Sequence, residues 1–186
     1  MEVSLLNVVD VEATCWEGEP PPGEVNEIIE IGICVVDTAS WSRLAKHGII
    51  VRPARSKVSA FCTSLTSLTE EEVSQGVSFA EACEMLRGEY DSMSRPWASW
   101  GDYDRNQFRR QCDFDGIEYP FSDSHSNVRI RFTKAFGLNR RPGMETALKM
   151  AGMPLDGRHH RGVDDAWNIA ALAIELARRG QPVTEN

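Results

Sequence analysis

The segment NVVDVEATCW (7–16) sets two carboxylates, Asp10 and Glu12, two positions apart in an otherwise apolar run. In a β-strand, residues i and i+2 share a face, so the two acids stand side by side. Strand interiors disfavour both residue types, and burying unpaired carboxylates costs several kcal/mol. Something has to compensate, and a divalent cation is the simplest candidate. Three other stretches carry residues of interest. In ASWGDYDRNQF (98–108), Asp102 and Asp104 fall at a helix start. In RHHRGVDDAWNIA (158–170), His159 and His160 occupy a loop, and Asp164 and Asp165 open a helix. AFCTSLTSLTEEEV (60–73) reads as an apolar loop leading into a helix. Each aspartate pair also fits ordinary capping and dipole complementarity, and the histidines fit an exposed loop. Together, however, carboxylates without thiolates are hard donors that suit Mg²⁺ or Mn²⁺ rather than zinc. Two such ions ~3.5–4 Å apart can clamp a phosphodiester, activating water on one side and stabilising the leaving oxygen on the other. A nearby histidine can take the proton from that water. The residue types therefore point to phosphoryl chemistry.

The elements that must position these groups follow from periodicity and punctuation. Residues 4–13 read as a strand, 16–26 (with PPP inside) as a loop, and 27–38 and 43–53 as two further strands in a hairpin-like antiparallel pair. LTEEEVSQG (68–76) and SFAEACEMLRGEY (78–90) read as helices behind Thr and Ser caps. RPWASWG (95–101) reads as a short buried strand and 103–112 as a helix. The segment 113–135 fits a strand at NVRIRF or a helix equally well. A helix within 141–154 stops at Gly152–Pro154, and DDAWNIAALAIELARRG (164–180) is a deeply packed helix, acidic at its start and basic at its end. This order predicts an α/β fold, a mixed sheet covered by helices, in a single domain spanning 1–186. On the first strand, Val9 and Val11 face one side. Asp10 and Glu12 face the other with Leu6 and Val8, and emerge at the carboxyl end, where open α/β sheets bind ligands.

The totals set bounds. The chain has 186 residues, 41% hydrophobic and 26% charged, enough to bury a full core without disulfides. No apolar run reaches the ~18–20 residues of a membrane span, and no basic segment precedes the first apolar run, so neither a membrane span nor a signal peptide is expected. Five scattered cysteines without a C-x-x-C pair read as reduced thiols of a cytoplasmic protein. The net charge of −8 argues against a non-specific nucleic-acid coat. Basic clusters nonetheless occur at 52–57, 105–110, 129–134, 139–142 and 158–161, each readable as a solvated face or as a contact for an anion.

DVEAT, GDYDRNQF and HRGVDD resemble, in order, the three motifs of the DEDDh 3′→5′ exonuclease superfamily. FCTSLTSLTEEEV and ALKMAGMPLDGRHHRGVDDAWNIA are similar to the loop and the C-terminal block of its ERI-type branch, that of the histone-mRNA 3′-exonuclease. The resemblance covers almost the whole chain. It implies an RNase H-like fold with a central mixed five-stranded sheet. It implies that Asp10, Glu12, Asp104 and Asp165 hold two Mg²⁺, with Mn²⁺ as a substitute, and that His160 is the general base. Phe61 and Leu65 would hold the terminal base, the backbone at Ala13–Thr14 would meet its sugar, and Tyr103 would lie near the base. Asp104 is preferred to Asp102 because it opens a D-x-x-x-F pattern ending at Phe108. His160 is preferred to His159 by its spacing to Asp165, and adjacent loop residues are not expected to point into one site together. The implied activity is a metal-dependent 3′→5′ exonuclease that releases nucleoside 5′-monophosphates from single-stranded or overhanging 3′ ends, RNA favoured over DNA, with no obligate protein partner. The alternatives are an inactive 3′-end binding module and an oligonucleotide phosphodiesterase using the same site. The SAP-type RNA-binding module of some relatives has no counterpart among these residues, so stem-loop specificity does not carry over.

Overall fold

The computed structural model describes residues 4–181 and Val183. Five strands form one mixed sheet in the order β3-β2-β1-β4-β5. Strands β1 (Leu5–Ala13), β2 (Ile28–Asp37) and β3 (Ser42–Ile50) form an antiparallel meander. Strands β4 (Trp97–Ser99) and β5 (His125–Asn127) add in parallel on the far side of β1. The hairpin between the second and third strands and the mixed sheet are as the sequence predicts.

Helices cover both faces, which explains why β1 and β2 read as almost continuously apolar. On one face, Leu6, Val8, Cys34 and Val36 pack against the long helix α7 (Gly162–Arg178), joined by α5 (Val128–Ala135) and α6 (Met144–Met150). On the other, Val9, Val11, Ile31 and Ile33 pack against α3 (Phe79–Tyr90) and α4 (Tyr103–Asp115). The alternation along β1 therefore divides as expected. A third cluster of Ile29, Cys62, Leu68 and Val73 seats the short helices α1 (Ala60–Thr66) and α2 (Glu70–Ser74). Both α2 and α3 start with complete capping boxes, Thr69 with Glu72 and Ser78 with Glu81. No helix among the described residues is long and apolar enough to cross a membrane.

Some elements differ from expectation. The segment read as an apolar loop contains α1, which Ser59 starts by accepting the Cys62 N–H and which Ser67 ends in the left-handed region. The ambiguous 113–135 resolves into the end of α4, then β5, then α5. Asn127 closes the three-residue strand and caps the helix at once by accepting the Ile130 N–H. The third strand ends at Ile50, short of 53, because the chain turns there to pair Val51 with Val77.

Candidate active site

The acids converge from three elements. Asp10 and Glu12 sit at the carboxyl end of β1, across from Gly32 and Glu30 of β2. Glycine at Gly32 is required by α7. A Cβ there would lie 1.8 Å from the Gly162 carbonyl oxygen, so only hydrogen lets the start of α7 settle on the sheet beside Asp10. Glu30 pins that helix start, accepting the Gly162 N–H at 2.7 Å and two Arg161 guanidinium N–H groups at 3.1 and 3.2 Å. One turn on, Asp165 faces the acids of β1. From the other side, Asp104 in the first turn of α4 accepts the Val11 N–H at 3.0 Å, which ties α4 to β1.

Asp10, Glu12, Asp104 and Asp165 line a cavity of about 380 Å³ together with His159 and His160. Carboxylate oxygens of Asp10, Glu12 and Asp165 lie within 4.8 Å of one another. Asp104 is in the same cavity but outside that tighter cluster. Glu12 is 9% exposed and Asp165 4%. Burial lifts Asp10 well above the usual carboxylate range, and Asp104, Asp165 and Glu12 repel it further. Glu12 is pushed up to about 8 by burial and then by Asp165, Glu30 and Asp104, and Arg161 relieves it only weakly. Burial raises Asp104 to about 6, against the Val11 N–H. Asp165 is raised by burial in spite of His159. Among the described residues, no lysine or arginine pairs with any of the four. A set of buried and half-buried oxygen donors that repel each other, with no lysine or arginine among the described residues to neutralise them, fits a divalent ion of the magnesium class.

The neighbouring aspartates face elsewhere. Asp102 accepts from Arg105 at 2.8 Å and from Asn127 at 3.0 Å. Asp164 accepts from Lys46 at 2.7 Å and from the Arg158 N–H at 3.0 Å. Asp104 and Asp165 are thus the cavity residues of their pairs.

The histidines differ from expectation, because both enter the cavity. His160 adopts a left-handed backbone, φ 64°, which doubles the chain back so that the two rings stack with centroids 3.9 Å apart. His159 Nδ1 sits 3.0 Å from Asp165, and the His160 N–H donates to the same carboxylate at 3.0 Å. The His160 ring has no hydrogen-bond partner among the described residues, and burial, followed by His159, lowers its pKa below the ordinary imidazole value.

Of the candidate substrate contacts, Ala13, Leu65 and Tyr103 line the cavity. Tyr103 is 55% exposed at its rim, and Phe61, one turn before Leu65 on α1, is 40% exposed. Thr14 turns inward. Its hydroxyl donates to the Val25 carbonyl and accepts the Glu27 N–H, so the side chain holds the β1–β2 connection and does not face the cavity.

Sequence reasoning misses several site residues. Glu30 carries the same signal as Asp10, a carboxylate in the apolar strand EIIEIGICVV. Asn168 is buried on α7 and grips the histidine loop. Its amide oxygen accepts the Asp156 N–H at 3.0 Å, and its amide nitrogen donates to the Asp156 and Asp164 carbonyls at 2.8 Å each. Trp167 adds a bond from Nε1 to the Asp156 carboxylate at 2.7 Å.

The sequence profile of the Exonuclease (RNase_T) family matches residues 8–173. Human 3′-5′ exoribonuclease 1 is 30% identical over 183 residues, covering 93% of this chain and 52% of that protein. The probable 3′-5′ exonuclease KapD of Bacillus subtilis is 26% identical, covering 92% of this chain and 84% of that protein. The nuclease domain of 3′hExo, a DEDDh family member solved with bound rAMP, superposes with a TM-score of 0.88 at 26% identity, covering 100% and 98% of the two chains. The chain spans about half the length of the mammalian exoribonucleases it matches. A profile match across most of the chain and an RNase H-like mixed sheet agree: the chain belongs to the Exonuclease (RNase_T) family, in its DEDDh, ERI-type branch.

Proposed function

We propose that this chain is a metal-dependent 3′→5′ exonuclease that releases nucleoside 5′-monophosphates from single-stranded or overhanging 3′ ends, RNA in preference to DNA. The observation that carries this reading is the convergence of Asp10, Glu12, Asp104 and Asp165 in one cavity, with no lysine or arginine among the described residues paired to them. These four would hold two Mg²⁺, or Mn²⁺ in their place. The ions, when bound, supply Lewis-acid stabilisation of the phosphoryl oxygens and favour deprotonation of water.

The chain's own residues do the rest. His160 takes the proton from the attacking water on a ring nitrogen. Its lowered pKa keeps that imidazole neutral, and its backbone bond to Asp165 fixes where it stands. His159 is held on Nδ1 by Asp165 and backs the His160 ring by stacking. Leu65, in the cavity lining, and the exposed Phe61 one turn before it seat the terminal base by apolar contact that tolerates any base, with Tyr103 near the base. The Ala13 backbone borders the space for the sugar. The preference for RNA follows the exoribonuclease relative, and the free cysteines suit the cytoplasm.

The test is digestion of body-labelled RNA and DNA, linear and circular, with Mg²⁺ or EDTA. Linear strands should shorten stepwise with Mg²⁺ only, and the product should be nucleoside 5′-monophosphates. Cutting of circular strands, or turnover confined to di- and trinucleotides, would contradict this reading.

A further inference from the structure

Two of the basic clusters, 105–110 and 129–134, meet in the fold away from the acids. Arg105 from the first turn of α4 and Arg131 and Lys134 from α5 line a second cavity of about 320 Å³, with Asp102 and His125. The two cavities draw on one short stretch of chain. Asp102 lines the basic one, and its neighbours Tyr103 and Asp104 line the acidic one.

Among the described residues, the side-chain donors of Arg105 and Lys134 have no hydrogen-bond partner beyond Asp102. Arg105 donates to Asp102 at 2.8 Å, and Asp102 also takes the Asn127 amide at 3.0 Å. That leaves Arg105 Nε buried with no hydrogen-bond partner among the described residues. Arg131 donates to Ser126 Oγ at 2.7 Å. Lys134 is exposed and makes no ion pair among the described residues. His125 is held by Ser99 at 2.9 Å and stays neutral, because burial and then Arg105 push it down to about 4. Among the described residues that line the cavity, Arg105 and Lys134 stand with one carboxylate, that of Asp102, which is paired with Arg105, in a chain whose net charge is −8. Such a local excess is an attractor for anions.

We propose that this cavity holds a backbone phosphate of the substrate strand, upstream of the bond being cut, a reading that rests on the exonuclease assignment above. Chain adjacency links the two cavities. Leu65 and Ala13 line the acidic cavity, where the terminal nucleotide is seated, and Tyr103 and Asp104 of the same lining stand between Asp102 and Arg105 of the basic cavity in the chain. A guanidinium and an ammonium recognise phosphate without reading a base. The basic cavity therefore favours longer strands whatever their sequence.

The test compares wild type with Lys134→Glu, an exposed site whose change leaves the acids untouched. Two substrates are used, a 12-nucleotide single strand and the p-nitrophenyl ester of thymidine 5′-monophosphate, which has no upstream phosphate. The kcat/KM on the 12-mer should fall about tenfold at low salt, with activity on the ester unchanged. The slope of log Kd against log salt for the 12-mer, followed by fluorescence anisotropy, should shrink by about 0.7 for each phosphate that the variant no longer neutralises. Arg105→Ala should act in the same direction. Equal losses on both substrates, or an unchanged 12-mer affinity and salt slope, would overturn the proposal. If wild type cleaves neither substrate, the exonuclease reading fails. The anisotropy comparison still decides whether the cavity grips the strand.

Discussion

The first turn of α7 presents two neighbouring aspartates to two different regions. Asp164 faces the outer rim, where burial works against its charge but Lys46 and the Arg158 N–H outweigh it, and its pKa is lowered. Asp165 faces the cavity, where burial prevails and its pKa is raised. In one region a lysine pairs with the carboxylate, and in the other no lysine or arginine among the described residues pairs with the acids. The same residue type, one position apart, is in one case an anchor for a loop and in the other a candidate ligand.

The sharpest way to break this contrast is to remove a carboxylate from each region. Asp10→Ala should abolish nuclease activity, by ~10³-fold or more, the scale of losing several kcal/mol of transition-state stabilisation. It should leave the metal-free protein folded, and no less stable, by circular dichroism, since it relieves repulsion. Wild-type activity in this variant would refute the ligand assignment.

Next comes the histidine pair. His160→Ala should lose ~10²–10⁴-fold in kcat while Mg²⁺ still raises its melting temperature. His159→Ala should lose far less. A steady-state assay that ranks them the other way round would transfer the role of base to His159.

The loop anchor should give a smaller effect. Asn168→Ala orphans buried groups at ~1–3 kcal/mol each and loosens the segment that carries both histidines. It should lower kcat ~10- to 100-fold with KM little changed, measured below its melting temperature. At the bottom of the scale, Asp164→Asn removes a part-exposed ion pair with Lys46, and its stability cost should stay below ~1 kcal/mol in a denaturant titration.

What is legible in the sequence follows the same division. Acids in a strand interior stand out because ordinary folding disfavours them, so Asp10 and Glu12 are visible from spacing alone. Asp104 and Asp165 sit at helix starts, where capping is an equal explanation, and the family resemblance is what selects them within their pairs. Bonds that join distant segments leave no periodic trace. Arg161 meets Glu30 across 131 residues, and no local spacing marks that pair. The register shifts between Glu12 and Ala13, so the alternation that brings Asp10 and Glu12 together does not extend to Thr14. Helix α1 has only seven residues and depends on the Ser59 cap and the packing of Cys62 under Ala13, information that a local reading of AFCTSLT does not contain. The pairing of the two histidines in one cavity rests on the left-handed backbone at His160, a conformation that a non-glycine residue seldom adopts.

The central claim is that the four acids await an external cation, and thermal unfolding of EDTA-stripped protein against pH, with and without Mg²⁺, tests it most directly. Raised carboxylate pKa values mean that the folded state binds more protons than the unfolded state, for Glu12 from its ordinary 4.5 up to about 8. Stability must then fall as pH rises through that window. The metal-free melting temperature should drop by at least ~5 °C between pH 5 and pH 8. Mg²⁺ should restore it at pH 8 and do little at pH 5, where protons already neutralise the cluster. A melting temperature that stays level or rises across this range, unmoved by Mg²⁺ at pH 8, would contradict the claim.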